Sequence, residues 1–228
     1  MSPRTQKREA VSDVTSETCL DQEANTPGNF RTQSERKRAA ILDAAIEAFL
    51  ENGFQGSSMD AISRRAKVSK RTVYNHFQNK EALFQAIVQE LFTLISAKQD
   101  FSYDPAQPLD TQLIAIARRT VKLFDDPHMR RLLRVIFAES IHSAERISAA
   151  LQRYQEDEKG LDHWIAAAID DDRFKPVEPK YAAEQFMGLI KATTFWPQLV
   201  MNQPSPSSEH CEHVVHDSVT MFLNYYAL

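Results

Sequence analysis

The densest run of recognition chemistry in the 228-residue chain is Lys70-Arg-Thr-Val-Tyr-Asn-His76. Wound as a helix at 100° per residue, it sets Val73 on one side with Ser69 and Phe77 close to the same line. Arg71 and Asn75 fall almost opposite, flanked by Thr72 and Tyr74. That outward set has the chemistry for base edges in a duplex groove. Arginine forks onto guanine O6 and N7, asparagine pairs bidentately with adenine, and a threonine methyl packs on thymine. Ser69 is a natural N-cap, and the turn beyond it offers free N–H groups and the positive end of a helix dipole, where phosphates sit well. A polar face on a short helix is by itself more often merely solvated, so the surrounding elements decide its meaning.

A second cluster, His210-Cys-Glu-His213-Val-Val-His216, also has chemical potential. His213 and His216 share a helix face, His210 lies three residues before His213, and Cys211 adds a thiol, so transition-metal ligation is chemically possible. Helical histidines beside a Ser/Pro-rich turn are usually surface polar residues, however, and the sequence assigns no metal and no cofactor. Nor does it point to an enzyme. No nucleophile elbow, P-loop, HExxH or dinucleotide fingerprint is present, and the seven histidines follow no triad order. Cys19 and Cys211 form neither a CxxC pair nor a disulfide framework.

The elements that must position these residues read as helices throughout. Ser34 is a plausible N-cap for a first helix in which Leu42, Ile46, Phe49 and Leu50 recur at helical spacing, stopping at Asn52-Gly53. Ser57-Ser58 open a second, shorter helix through Ile62 and Ala66, broken at Lys67-Val68. Ser69 caps the third, Lys70–Phe77, and Asn79 caps a fourth through Leu83, Phe84, Ile87 and Leu91. The second and third make a helix-turn-helix. Further helices are expected at 110–124, 127–140, 143–170, 180–201 and 207–226, with Pro-bearing connectors at 101–108, 170–179 and 202–207. No stretch alternates long enough for a strand, and the fold class is all-α: a helix-turn-helix domain over residues 34–80, followed by a larger helical domain over 81–228. Residues 1–33, polar and aperiodic, read as a disordered arm.

Charge is segregated along this plan. Residues 1–30 carry a net −2, residues 31–80 a net +5, and residues 81–228 a net −7, within an overall −4. A small basic module on an acidic body is what a chain needs if one end meets a polyanion and the rest does not. The longest apolar runs are a few residues, far from the roughly 20 a bilayer span requires, and no apolar segment follows Arg4, Lys7 and Arg8 as in an export signal. A cytoplasmic location without membrane contact is expected.

The run Arg38 to Phe54, then Ser-Ser-Met-Asp-Ala-Ile at 57–62, then Ala66 to Phe84 closely resembles the DNA-binding domain of TetR/AcrR-type transcriptional regulators over roughly residues 34–89. The resemblance implies that the third helix enters the major groove. Lys70, Arg71, Thr72 and Asn75 would then face bases or nearby phosphates, and Tyr74 and His76 would touch phosphate. Lys80 would grip the backbone, and Ser57 or Ser58 would offer hydroxyls at the start of the second helix. Ile62, Val68, Val73 and Phe77 fall to the core. Two positions depart from the pattern. Lys67 and Arg71 stand where glycine is common, so Lys67 must tolerate a turn conformation that suits glycine better, and Arg71 becomes the leading specificity determinant.

One recognition helix reads few base pairs, so two must be held about one DNA turn (~34–36 Å) or a multiple apart. The last two helices offer a surface for pairing with a second copy through Phe186, Leu189, Ile190, Thr193, Trp196, Val215, Val219 and Phe222. Residues 130–140 and 186–197 resemble the AefR-like C-terminal domain of the same family. That likeness implies a largely apolar pocket for a small-molecule effector, with Phe92, Phe124, Phe137, Trp164, Met187 and Phe195 as liners and Glu139, His142 and His163 as polar anchors. The expected function is a homodimeric repressor of a pseudo-palindromic operator, released by that effector. The alternatives are an activator, or an architectural or interaction DNA-binding protein without ligand control.

Overall fold

A computed structural model describes residues 32–151 and 160–228. The expected arm, Cys19 included, lies outside these residues except for its last two positions. Those two are ordered into the first helix. Thr32, not Ser34, is the N-cap of α1 (Gln33–Gly56), forming a capping box in which Thr32 accepts from the Glu35 amide and the Glu35 carboxylate accepts from the Thr32 amide. The Thr-x-x-Glu spacing was present in the sequence, and the reciprocal pair outcompetes a serine two residues in. At the far end Gly53 takes φ +69°, which breaks α1 where Asn52-Gly53 suggested and leaves a last turn to Gly56.

The short helices follow as read: α2 (Met59–Arg65) capped by Ser58, α3 (Lys70–His76) capped by Ser69, and α4 (Lys80–Lys98) capped by Asn79, each through a side-chain oxygen accepting an amide three residues on. Next come α5 (Leu109–Phe124) and α6 (Pro127–His142), the latter with Asp126 as cap and proline at its first position. The expected single helix over 143–170 is divided: α7 (Ala144–Leu151) and α8 (Leu161–Asp170) are separate, with Gly160 opening α8. The helix expected over 180–201 is also two, α9 (Pro179–Thr194) and α10 (Trp196–Val200). Pro197 has no N–H to donate back to Thr193, so the helical ladder fails there and Phe195 takes a non-helical conformation. α11 (Ser208–Tyr226) closes the fold. Among the described residues there is no strand, only an isolated antiparallel bridge from Phe174 to Ala227 that pins the C-terminus to the α8–α9 connector.

Two main cores result. The first gathers Ile41, Ile46 and Phe49 of α1, Ile62, Val73 and Phe77 around the turn, and Leu83, Phe84 and Ile87 of α4, and continues into Leu132 and Val135 of α6 and Ala150 of α7. The second packs Leu113 and Ile116 of α5, Trp164 and Ile165 of α8, Phe186 and Ile190 of α9, and Val215, Val219 and Phe222 of α11. The helix-turn-helix module is therefore not sealed at residue 80, because α6 and α7 share its core. α6 spans both halves. Arg131 binds Asp43 (3.2 Å) and Glu47 (2.5 Å) of α1, and His128 meets Glu90 of α4 at 2.6 Å. Arg134 donates to the Gln198 carbonyl (2.8 Å) and Asn202 Oδ1 (2.7 Å) at the end of α10.

Candidate nucleic-acid interface

The bend between α2 and α3 is made by backbone geometry. Lys67 sits at φ +53°, its amide donates to the Arg64 carbonyl (3.2 Å), and the Val68 amide donates to the Ser63 carbonyl (3.1 Å). That pair of bonds is a Schellman closure, with the left-handed residue just past the helix end. It satisfies carbonyls that α2 would otherwise leave open, and Val68 packs on the first core. Lysine thus holds the conformation that glycine takes more readily. α3 then starts at Ser69, whose Oγ accepts from the Thr72 amide (3.1 Å) and lies 2.8 Å from the Thr72 hydroxyl.

Val73 is fully buried and Phe77 nearly so, which turns the opposite face of α3 outward. Lys70, Arg71, Tyr74 and Asn75 are exposed, Tyr74 by half of its surface. Among the described residues the Arg71 and Asn75 side chains have no hydrogen-bond or ion-pair partner, so both are free to meet a ligand. Lys70 is engaged with Asp60 at 2.5 Å across the turn, yet its side chain remains largely in solvent. Thr72 and His76 are half-buried at the edges of the face, His76 with its ring beside Phe77. Behind this face Arg65 pairs with Glu51 of α1, and its guanidinium holds the Glu51 carboxyl below the usual carboxylate range.

Two residues expected at the phosphates point elsewhere. Ser57 is buried, with its hydroxyl donating to the Ala48 (2.9 Å) and Gly53 (2.7 Å) carbonyls, so it closes the end of α1. Ser58 remains exposed but commits its oxygen to the Ala61 amide as a cap. Lys80 donates to the Phe54 (2.8 Å) and Gln55 (3.2 Å) carbonyls and lies 4.8 Å from the centre of the Phe54 ring. The carbonyls left open by the Gly53 kink draw the ammonium inward. Arg36, Lys37 and Arg38 at the start of α1 carry no expected contact from the sequence alone. All three are exposed, and they supply part of the basic excess that residues 31–80 already displayed.

The residues expected to line an effector pocket do not converge. Phe92 packs on the first core, and Trp164 is buried in the second with its Nε1 donating to Gln112 (3.1 Å). Phe124 and Phe195 stack on one another at 4.5 Å in a small third cluster. Phe137 is exposed against Trp196, Met187 lines an open groove on α9, and His142 and His163 face solvent. Glu139 is buried, but its carboxylate is taken by Arg146. Aromatic spacing on a helix looks the same whether the rings fill a core or line a cavity. Of the residues expected between copies, Phe186, Ile190, Val215, Val219 and Phe222 are buried within the chain, whereas Leu189, Thr193 and Trp196 face outward. In the histidine cluster, His213 pairs with Asp217 and His216 with Glu212, and among the described residues no group of three or more potential ligands is placed to hold a metal. Among the same residues no helix is long and apolar enough to cross a membrane.

Comparison with known proteins agrees with this geometry. Residues 41–87 match the family of bacterial regulatory proteins named after tetR, and residues 111–228 match the AefR-like transcriptional repressor C-terminal domain. A TetR family transcriptional regulator from Pseudomonas syringae pv. tomato is 38% identical, covering 85% of this chain and 97% of that one, with a TM-score of 0.75. The flavonoid-responsive regulator FrrA is 27% identical over 84% of this chain and 97% of its own, with a TM-score of 0.63. An uncharacterised HTH-type regulator of Bacillus subtilis, YhgD, is 28% identical over 70% of this chain and 83% of its own length. With its helix-turn-helix at the front and an AefR-like domain behind, the chain belongs to the TetR family of transcriptional regulators and is not an enzyme.

Proposed function

We propose that the protein is a homodimeric repressor that reads a pseudo-palindromic operator with two copies of α3 and leaves it when a small molecule binds the helical domain. The observation that carries this reading is the face of α3: Arg71 and Asn75 stand exposed, without partners among the described residues, on a helix whose opposite side is locked into the core by Val73 and Phe77. A guanidinium and an amide held this way suit bidentate contacts to guanine and adenine. Arg36, Lys37, Arg38 and Lys70 supply charge for the flanking phosphates.

Pairing of two copies is supported by apolar surface on α9 and α11. Leu189, Met221 and Tyr225 are exposed there, as is Trp196 of α10, and a groove between α9 and α11 is lined by Gln185, Gly188, Leu189, Ala192, Met221 and Tyr225. Of the residues expected at this contact, Leu189, Thr193 and Trp196 lie on this surface, whereas Phe186, Ile190, Val215, Val219 and Phe222 pack inside the chain beneath it. Effector control is supported by a recess of about 280 Å³ between α5, α9 and α11, bounded by Val121, Thr194, Cys211 and Val215 with Arg118, Lys122 and Asp125 at its edge. It adjoins the helices proposed to pair, so a ligand wedged there would alter the spacing of the two α3 helices. Footprinting tests the reading. A repressor protects one short palindrome overlapping a promoter, whereas protection of many loosely related sites would mark an architectural protein instead.

A further inference from the structure

We propose that Arg146 of α7 is a positioning residue for DNA recognition: anchored by the buried Glu139 carboxylate, it grips the Phe54 ring at the elbow between α1 and α2 and couples the α6–α7 corner to the angle of the recognition helix. The inference rests on the DNA-binding reading above and adds the link by which the rest of the chain acts on it.

The elbow is built to be held. After Gly53 turns the backbone, Phe54 is buried against Phe49 (5.3 Å between ring centres) and edge-on to Phe84 (5.9 Å). Two cations address the same ring, the Lys80 ammonium at 4.8 Å and the Arg146 guanidinium at 4.2 Å. They come from different parts of the fold. Lys80 starts α4 and also binds the Phe54 and Gln55 carbonyls, so it fixes the elbow from within the DNA-binding module. Arg146 reaches in from α7, beyond α6. Ser58, which caps α2, is only four residues past Phe54, so a displacement of this ring carries the start of the helix-turn-helix with it.

Arg146 is not left to find the ring by chance. Glu139, four-hundredths exposed, pairs with it across the α6–α7 corner, where the Ser143 amide also donates to the Glu139 carbonyl (2.8 Å) and the Arg146 amide to Ser143 Oγ (3.3 Å). A carboxylate so buried is tolerable only while its partner stays in place. Packing alone would be served by an apolar side chain. A paired, oriented guanidinium over an aromatic face adds a directional attraction that weakens as soon as the corner shifts. The other end of the lever is tied by Arg134 of α6 to the end of α10, so a rearrangement of α9 and α10 reaches Phe54 through α6 and the Glu139–Arg146 pair.

The test uses the full chain and a duplex recovered from a random pool by the wild-type protein. Arg146→Met keeps the bulk of the stem and removes the cation, Glu139→Gln loosens its anchor, and Arg146→Lys keeps a positive charge over the ring. The first two are expected to bind the duplex about tenfold more weakly, with an unchanged slope of log affinity against log salt, and Arg146→Lys to recover most of the loss. Amide exchange over residues 54–58 is expected to quicken in Arg146→Met and Glu139→Gln while α11 is unaffected. Unchanged affinity with unchanged exchange in a folded Glu139→Gln protein overturns the proposal. So does an affinity loss whose salt slope falls by about one per lost contact, because Arg146 would then touch phosphate itself. If the wild-type chain retains no duplex, the DNA-binding reading is what fails, and exchange at 54–58 still decides whether Arg146 holds the elbow.

Discussion

Replacing Lys67 with glycine is expected to stabilise the protein. Lys67 is held at φ +53° by the two bonds that close α2, and the left-handed conformation costs a residue bearing a Cβ about 1–2 kcal/mol. Glycine removes that cost but brings a freer unfolded chain, worth about 0.4–1 kcal/mol in the other direction. The balance is a gain of about 0.5–1 kcal/mol, which in a chain of this length raises the melting temperature by about 1–4 °C. Lysine also loses a charge in this substitution, so Lys67→Ala is the necessary companion: it removes the same exposed ammonium while keeping the Cβ. The alanine variant should melt within a degree or two of wild type, and the glycine variant above both. Thermal unfolding followed by circular dichroism or calorimetry reads the difference directly. If the glycine variant melts below the alanine variant, the left-handed strain assigned to this turn is wrong.

Other outcomes follow from the same geometry. Arg71→Ala should cost about 1–3 kcal/mol at each recognition helix and relax the base preference at one position of each half-site, read by affinity against single-base variants of the selected duplex. Leu189→Glu should convert a dimer to monomers in sedimentation at micromolar concentration, because a two-fold contact places the new charge beside its own copy. Asp126→Ala should cost about 1–2 kcal/mol at neutral pH, since the carboxylate caps α6 and pairs with Lys98 of α4. Burial works to raise the Asp126 pKa, but the Lys98 ammonium and the Met129 and His128 amides outweigh it and hold the carboxyl below its ordinary value. A lowered folded-state pKa stabilises the chain above the usual carboxylate pKa of about 4 and gives that stability up as pH falls further. The gap between wild type and Asp126→Ala should therefore narrow in acid unfolding below about pH 4.

What the sequence made legible is what local chemistry determines. Ser58, Ser69 and Asn79 cap their helices as their types and positions implied, and the outward set on α3 follows from Val73 being the one residue of that helix driven fully inside. The unusual demand on Lys67 was visible through the family resemblance, in which glycine is common at this position of the turn. The break at Phe195 was within reach too, since Trp196-Pro197 signals the end of a ladder, but the apolar periodicity on either side concealed it. Placements that depend on long-range packing were not legible. Lys80 turns inward because carbonyls 25 and 26 residues earlier lie open, and Glu139 is claimed by Arg146 instead of a ligand. Phe186 and Phe222 differ from Leu189 and Met221 only in which way α9 and α11 are rotated, and a helix's rotation is set by its neighbours, which local sequence does not reveal.

The most direct measurement is selection of bound duplexes from a random pool by the full chain at moderate salt. The account predicts an inverted repeat with half-sites about one helical turn (~34–36 Å) or a multiple apart, and a guanine or adenine preference in each half-site that Arg71→Ala or Asn75→Ala abolishes. Recovery of duplexes sharing no motif, or of a motif that survives loss of both side chains, would show that the exposed face of α3 is not what reads DNA.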